Sequence, residues 1–260
     1  MRSFGGYVLY VLLVAVLVLS GCKKSQPQQA QELKQQVPKP SEPKPAAADK
    51  QAKSDKVLLQ FDIKQDLELI KKTSNFNEPP QFAIWLEDPE SHKLQTVFVT
   101  YRTGSGDWVG KAECPDSLNR WYEVYTEETG NVGYPTPDMP AAAAVTGATP
   151  KADSFKVTWP VKPASKWICW LEMNLAGDFN EKYKQTDEVT KTIDTDFSGQ
   201  PPLVYRAEIT ATPGVNMQMQ LYGQSVSGAE VGQTVQPVSG DITTAKDVFK
   251  DIKISVVSSR

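Results

Sequence analysis

The segment Lys166–Leu175, KWICWLEMNL, places the strongest constraint on the fold. In an extended chain its side chains alternate between two faces, and both faces are apolar for most of its length. A strand of this kind has to be covered on both sides, because apolar surface is unfavourable in water. The segment therefore predicts a central strand of a sheet, with Trp170 buried against a neighbouring layer.

Other segments with strand patterns indicate a β-rich body. Gln81–Glu87 alternates, with Trp85 facing away from the Phe, Ile and Leu residues of the segment, and Leu94–Tyr101 is rich in β-branched and aromatic residues. We expect these two segments to form a hairpin. A second hairpin is expected between Ser154–Trp159 and Lys166–Leu175. Further strands are predicted at Val57–Ile63, Leu203–Thr212, Asn216–Tyr222 and Asp251–Val257.

The clearest helical pattern lies at Asp116–Tyr125, beginning with a capping residue at Asp116 or Ser117. Its large apolar residues recur at three- and four-residue spacing: Leu118, Trp121, Tyr122 and Tyr125. We favour a helix that packs these side chains on a sheet; the alternative is a carbohydrate-binding domain with Trp121 and Tyr122 exposed. The strands and this helix predict a mainly β fold, namely an antiparallel, immunoglobulin-like β-sandwich with one or two short helices.

The N-terminus has the pattern of an exported, lipid-anchored protein. Tyr7–Leu19 is an unbroken apolar run of 13 residues, which is too short to span a bilayer and fits the core of a signal peptide. It ends in Leu19-Ser-Gly-Cys22, which resembles the lipobox of bacterial lipoproteins. The resemblance implies that residues 1–21 are removed and that Cys22 carries fatty-acyl chains such as palmitate. Lys23 after the cysteine resembles sorting to the outer membrane, with the protein facing the periplasm.

Residues 22–56 predict a disordered tether between the lipidated cysteine and a folded domain at residues 57–260. The tether is rich in Gln, Pro, Lys and Ala, and it has too few large apolar residues to offset the loss of chain entropy on folding. Residues 23–56 carry a net charge of +4, Arg2 adds +1, and the chain total of −3 therefore leaves the folded domain at −8. An acidic domain of this kind argues against nucleic acid as a partner.

Three segments of the domain resemble an uncharacterised family of predicted periplasmic proteins, known only as a domain of unknown function. They are Ala83–Asp88 (AIWLED), Ala144–Pro150 (AVTGATP) and Phe155–Trp159 (FKVTW). The resemblance implies an exported β-sandwich domain and no known activity.

The turn Thr146-Gly-Ala-Thr149 is also similar to the motif Asp-x-x-Ser/Thr-Gly-Ala-Thr. Covalent-FMN subunits of bacterial respiratory complexes carry FMN on the last threonine of that motif, which implies FMN on Thr149 and extracytoplasmic electron transfer. The aspartate of the motif falls on Ala143. The alternative is an ordinary turn, in which Gly147 supplies a positive φ and the Thr149 hydroxyl bonds its own backbone.

The remaining polar and sulfur-containing residues suggest little chemistry. Once Cys22 is assigned to lipid, Cys114 and Cys169 are equally consistent with a disulfide in an oxidising compartment and with two buried thiols. A single histidine, His92, excludes metal sites built from several histidines. Asp194–Gly199 matches half of a calcium loop but lacks its final glutamate, so we expect no metal site.

Two glutamates, Glu87 and Glu172, lie on predicted strands, but the pattern does not indicate that they form a catalytic pair. We therefore expect a non-enzymatic binding or structural module of the cell envelope. Its expected partners are membrane lipid, through acylated Cys22, and an envelope protein or glycan.

The lipid anchor yields a direct prediction. Replacing Cys22 with serine (Cys22→Ser) removes the acylated sulfur. Several acyl chains anchor a protein stably in a membrane, and the variant has none. We therefore expect the variant in the soluble fraction after membranes are pelleted. Wild-type protein in the same preparation is the control. A variant that pellets with membranes as completely as the wild type would contradict the anchor.

Overall fold

A computed structural model describes residues 56–259 except positions 112, 144, 187–197 and 229–231. The signal peptide, Cys22, the tether and the acidic residues of the calcium-like segment lie outside the described residues. Among the described helices, none is long and apolar enough to cross a membrane.

The described residues form strands and short helices in the following order along the chain. They are β1 (Val57–Gln65), α1 (Leu67–Thr73), β2 (Gln81–Glu87), β3 (Leu94–Thr100), α2 (Tyr101–Ser105), α3 (Asn119–Thr129), β4 (Thr146–Gly147), β5 (Ser154–Val161), β6 (Lys166–Asn174), β7 (Leu203–Thr210), β8 (Asn216–Gln218), β9 (Gln220–Ser225), β10 (Val235–Gln236), α4 (Ala245–Val248) and β11 (Phe249–Ser258).

The strands form two sheets. One has four strands in the order β5-β1-β11-β8, and the other has seven in the order β10-β9-β7-β6-β2-β3-β4. The first and last long strands pair antiparallel along their lengths, from Val57 with Ser258 onwards. The pairing of β3 with β4 is parallel. The mainly β fold class is thereby confirmed, and the two sheets contribute to one hydrophobic core.

That core is built from alternate residues of the long strands, since successive side chains of a strand point to opposite faces. The four-stranded sheet supplies β1 and β11 residues, and the seven-stranded sheet supplies residues of β2, β6 and β7. Its fully buried members include Leu59, Phe61, Ile63, Phe82, Ile84, Leu86, Leu171, Met173, Ile252 and Ile254.

The opposite face of the seven-stranded sheet is covered by α3. Trp121, Val124 and Tyr125 of the helix are buried against Ala83 and Trp85 of β2 in a second apolar cluster. The helix predicted from the aromatic spacing is confirmed, although it begins at Asn119 rather than near Asp116. β6 occupies the fourth place among the seven strands, so its central position is confirmed as well.

The expected hairpin between the fifth and sixth strands is wrong. β5 pairs with β1, whereas β6 pairs with β2 and β7 in the other sheet, so the turn between them carries the chain from one sheet to the other. Ala164 in this turn has a φ of 60°. β5 alternates exposed and half-buried residues, which suits a strand covered on one side, whereas β6 needs cover on both sides.

The segment Asn216–Tyr222, expected as one strand, divides between the sheets. β8 pairs with β11, β9 pairs with β7, and Met219 between them is buried, with its N–H donating to the carbonyl of Ile252 at 2.9 Å. Regular alternation predicts an extended backbone but does not specify which sheet pairs with it.

Trp170 is partly exposed, which corrects the expectation that it is buried. It stacks on the fully buried Trp85 with ring centroids 6.2 Å apart, and its indole N–H donates to Glu87 Oε2 at 2.9 Å. Arg206 lies 5.4 Å from the ring centroid, and Tyr222 contacts its edge. The outer face of β6 at this position is therefore covered by side chains of β7 and β9 rather than by a helix.

The N-terminus of α3 is held by a strand residue. Its N-cap residue, Leu118, has no capping side chain; instead Glu172 of β6 accepts the N–H of Arg120 at 3.1 Å and that of Trp121 at 2.7 Å. The Ser225 hydroxyl also donates to this carboxyl group. Glu172 is fully buried, and this burial raises its pKa to about 7 although the three donors oppose the rise.

The two stacked tryptophans should differ in how much their replacement by alanine lowers the free energy of unfolding. Trp85→Ala should lower the free energy of unfolding by about 3–5 kcal/mol, because the side chain is fully buried between β2 and α3. Trp170→Ala should cost about 1–2 kcal/mol, because its site is partly open to solvent. Denaturant unfolding of both variants checks the order, and equal losses would contradict the difference in burial.

Glu172 predicts a pH dependence of stability. Its pKa is raised from 4.5 in the unfolded chain to about 7 in the folded state, so the folded protein binds the proton more tightly. The resulting stability is present below pH 4.5 and lost as the pH rises through about 7. Relative to Glu172→Gln, the wild type should therefore be about 2 kcal/mol more stable at about pH 5 than at about pH 7.5.

Comparing the two proteins at each pH cancels the titration of every other group. Denaturant unfolding at both values provides the measurement. A difference between wild type and variant that is the same at both pH values would show that Glu172 remains ionised throughout.

Candidate functional site

The parallel pair β3 and β4 determines where Thr149 lies. Val99 pairs with Thr146 and Thr100 pairs with Gly147, and the N–H of Val99 donates to the carbonyl of Val145 at 2.8 Å. Parallel neighbours are about 4.8 Å apart and run in the same direction. The residues that follow the two strands therefore emerge side by side: Tyr101 and Arg102 after β3, and Ala148 and Thr149 after β4.

Gly147 is closely packed at this pair. A Cβ atom at this position would lie 2.5 Å from Cε2 of Phe98, so a larger residue would require the Phe98 ring or β4 to move. Gly147 does not have a positive φ, unlike nine other glycines among the described residues. The interpretation of Gly147 as a positive-φ turn residue is therefore wrong, and its role is to admit the neighbouring ring.

The segment before β4 is fixed by hydrogen bonds to the helices. The Tyr125 hydroxyl of α3 donates to the carbonyl of Met139 at 2.6 Å, and the N–H of Ala141 donates to the carbonyl of Gly104 in α2 at 2.7 Å. Ala143, where the flavin motif has aspartate, is exposed. The approach to Thr149 is thus held on two sides, and position 143 is open to solvent.

Thr149 lines a cavity of about 870 Å³. The walls come from the connection before β2, from α2, from the loop after α2 and from the residues after β4. Aromatic, cationic and small side chains all contribute: Phe76, Glu78, Pro79, Gln81, Tyr101, Arg102, Trp108, Gly110, Lys111, Cys114, Ala148, Thr149, Lys151 and Ala176. Apart from Cys114 and the two motif residues, none of them was singled out from the sequence.

The hydroxyl groups of the turn have different surroundings. Thr146 Oγ1 donates to the carbonyl of Ala142 at 3.0 Å and so stabilises the turn. Thr149 makes no side-chain hydrogen bond with the described part of the chain, and it is half-buried at the cavity wall. The alternative in which Thr149 bonds its own backbone is therefore wrong, because Thr146 performs that function.

The charges of the lining favour an anion. Lys111 forms an ion pair with Glu78, and this hydrogen bond lowers the pKa of the Glu78 carboxyl group. The charges of Arg102 and Lys151 lower it further, which places both cations near the same carboxylate. Three cations therefore face one carboxylate in a domain whose net charge is negative.

A fixed amide lies in the wall of the cavity. Gln81, at the start of β2, accepts through Oε1 from Thr100 Oγ1 at 2.7 Å and from Thr103 Oγ1 at 3.2 Å. Thr100 is itself fixed, because its hydroxyl accepts the N–H of Phe82 at 3.2 Å. These bonds determine the orientation of the Gln81 amide.

The other candidate residues lie apart from this cavity or have structural roles. Cys114 and Cys169 form no disulfide; both are buried thiols, Cys114 at the cavity and Cys169 in the core between the sheets. Burial raises the pKa of the Cys169 thiol far above its usual range. The two thiols do not meet because Cys169 lies in the core between the sheets, whereas Cys114 lines the cavity.

The carbohydrate-binding alternative loses its supporting residue Trp121, and the two strand glutamates make separate structural contacts. Trp121 is buried and donates its indole N–H to Thr96 Oγ1 at 3.1 Å, so it forms no exposed platform with Tyr122. Glu172 caps α3, and Glu87 bonds Trp170 and His92, so neither carboxylate is placed beside the other in a cleft.

No protein-family model, no curated protein and no solved structure matches the chain. The resemblances of the sequence to the periplasmic family and to the flavin motif therefore stay predictions, and the case for a function depends on the cavity itself.

Proposed function

We propose that the chain is a lipid-anchored envelope protein that carries FMN on Thr149 and transfers electrons outside the cytoplasm. The observation that supports this proposal is the position of Thr149, whose hydroxyl is available in the wall of a cavity lined by aromatic rings and cations. The motif likeness and the cavity are independent, because the motif concerns four neighbouring residues and the lining comes from distant segments.

The size and lining of the cavity fit a flavin. Sites for drug-sized ligands have volumes of about 300–1,000 Å³ and combine apolar walls with a few polar groups, and this cavity has about 870 Å³. Phe76, Tyr101 and Trp108 offer aromatic faces for a planar ring system. The ring system of FMN is of that kind.

The cations fit the phosphate of the cofactor. An ester between Thr149 Oγ1 and the phosphorus leaves one negative charge next to the residues that follow β4. Arg102 and Lys151 form no ion pair among the described residues, so their charges are available to it, whereas Lys111 is paired with Glu78. Arg102 is the best suited of the three, because its guanidinium group can donate two hydrogen bonds to one phosphate.

The protein would hold the cofactor and shield it, and the bound flavin would supply one- and two-electron transfer. Tyr101 is held at the rim by its hydroxyl, which donates to Asp107 Oδ2 at 3.1 Å. In this proposal the body is an immunoglobulin-like sandwich, and acylated Cys22 and the tether of residues 22–56 attach it to the outer membrane facing the periplasm. It is a carrier rather than an enzyme.

The intact mass of protein purified from its own envelope tests the attachment. Wild-type protein should exceed its lipidated mass by that of FMN less one water, and Thr149→Val should lack this addition. Thr158→Val is the matched control, because Thr158 is exposed on β5 and lies outside both the motif and the cavity lining. It should keep the addition.

Two outcomes would contradict the proposal. One is wild-type protein without the added mass, and the other is a Thr149→Val variant that keeps the added mass. If the wild type lacks it, Ala143→Asp coexpressed with an exported flavin transferase shows whether the turn has lost only the aspartate of the motif. Lack of FMN on both would leave a binding module without a flavin.

A further inference from the structure

The cavity contains a hydrogen-bond donor that the protein itself leaves available. The Oε1 atom of Gln81 accepts from Thr100 and Thr103, so Nε2 is the atom of the amide that is turned elsewhere. Nε2 has no hydrogen-bond partner among the described residues, and Gln81 lines the cavity. Gln81 is buried, with a relative exposure of 7% for the residue.

A buried amide of this kind is costly unless its donors are satisfied. Such donors bond to protein, to water or to a ligand. Some side-chain atoms in the described part of the chain are fully enclosed and lack a hydrogen-bond partner, but Nε2 is not one of them. Nε2 is therefore not sealed in the packed interior, and the open space that Gln81 lines is the cavity.

The orientation of this amide is set by more than one contact. Thr103 Oγ1 also lies 3.4 Å from Ser117 Oγ, and Thr100 accepts the N–H of Phe82. These hydroxyls are buried, and β2, β3, α2 and the residues before α3 contribute to the network. Thr100 Oγ1 already accepts the N–H of Phe82, so its own hydrogen is left to donate to Oε1; rotating the amide by half a turn would take that acceptor away.

We infer that Gln81 recognises the ring of the bound flavin by donating a hydrogen bond from Nε2 to one of its acceptor atoms. This inference rests on the proposed function and specifies which residue of the chain adjusts the electron affinity of the cofactor. The nitrogen and carbonyl oxygen atoms of a flavin ring are acceptors, and hydrogen bonds to such atoms tune its electronics. A donor stabilises the more electron-rich, reduced ring and so raises its midpoint potential.

Two substitutions of Gln81 separate this role from packing. Gln81→Met removes the donor and keeps the length of the side chain. Gln81→Glu keeps an oxygen that can accept from Thr100 and Thr103, but it replaces the donor with a negatively charged oxygen. Gln95→Met is the control, because Gln95 is exposed on β3 and lies outside the cavity lining.

The experiment uses the full-length mature protein with its FMN content first established by mass. The measured quantities are the midpoint potential and the visible absorption spectrum of the bound flavin. The expected result is a lower potential in Gln81→Met, a still lower potential in Gln81→Glu, a shifted absorption band in both, and wild-type values in Gln95→Met. If the methionine variant fails to fold, the glutamate variant alone tests the inference, since its contacts with the two threonines can be kept.

The possible failures can be distinguished. Flavin-carrying Gln81 variants with the wild-type potential and spectrum would overturn the role of Gln81 and leave FMN on Thr149 intact. Wild-type protein without FMN would overturn both. An equal shift in Gln95→Met would also overturn the inference, because the effect would not be specific to the cavity.

Discussion

The cavity depends on the short parallel contact between β3 and β4. Two residue pairs join these strands, Val99 with Thr146 and Thr100 with Gly147. The contact makes Thr149 a neighbour of Tyr101 and Arg102, although 47 positions separate Thr149 from Arg102 in the sequence. Glycine at position 147 permits this contact, because the Phe98 ring of β3 lies within 2.5 Å of where a Cβ atom would be. The motif-like turn is therefore positioned by packing against the sheet.

The charges of the cavity lining suit an anionic ligand. The folded domain is acidic, with a net charge of −8 over residues 57–260, so anions meet general repulsion at its surface. The cavity reverses this locally, because Arg102, Lys111 and Lys151 face the single carboxylate of Glu78. A ligand that matches this lining has a negative charge and a planar ring. A phosphate joined to a planar ring has both properties.

The strands with a regular alternation could be predicted from the sequence. Gln81–Glu87 was predicted at its observed bounds, and the terminal strands were predicted at Val57–Ile63 and Asp251–Val257, slightly inside the observed ones. The aromatic spacing in Asp116–Tyr125 predicted α3. The choice of partner strand could not be predicted in the same way. β5 and β6 are joined by a short turn, as in a hairpin, yet they belong to different sheets, because only burial on one side or on both sides distinguishes them.

For a related reason, the sequence could not predict the exposure of Trp170 or the lining of the cavity. Whether a layer covers the outer face of β6 depends on the length and position of α3. The residue pattern of β6 itself contains no information about either. The lining residues Gln81, Arg102, Trp108 and Lys151 come from strand ends and loops, where no periodicity links them. Only the motif at Thr149 signalled the site, and its missing aspartate made that signal weak.

The attachment of FMN to Thr149 is tested most directly by locating the FMN within a tryptic peptide. Trypsin cleaves after Arg120 and Lys151, so the peptide of residues 121–151 from envelope-purified protein contains both Thr146 and Thr149. The fragment ions of this peptide should carry FMN phosphate on Thr149, with Thr146 unmodified. An unmodified peptide, or a flavin placed on any other residue, would contradict it.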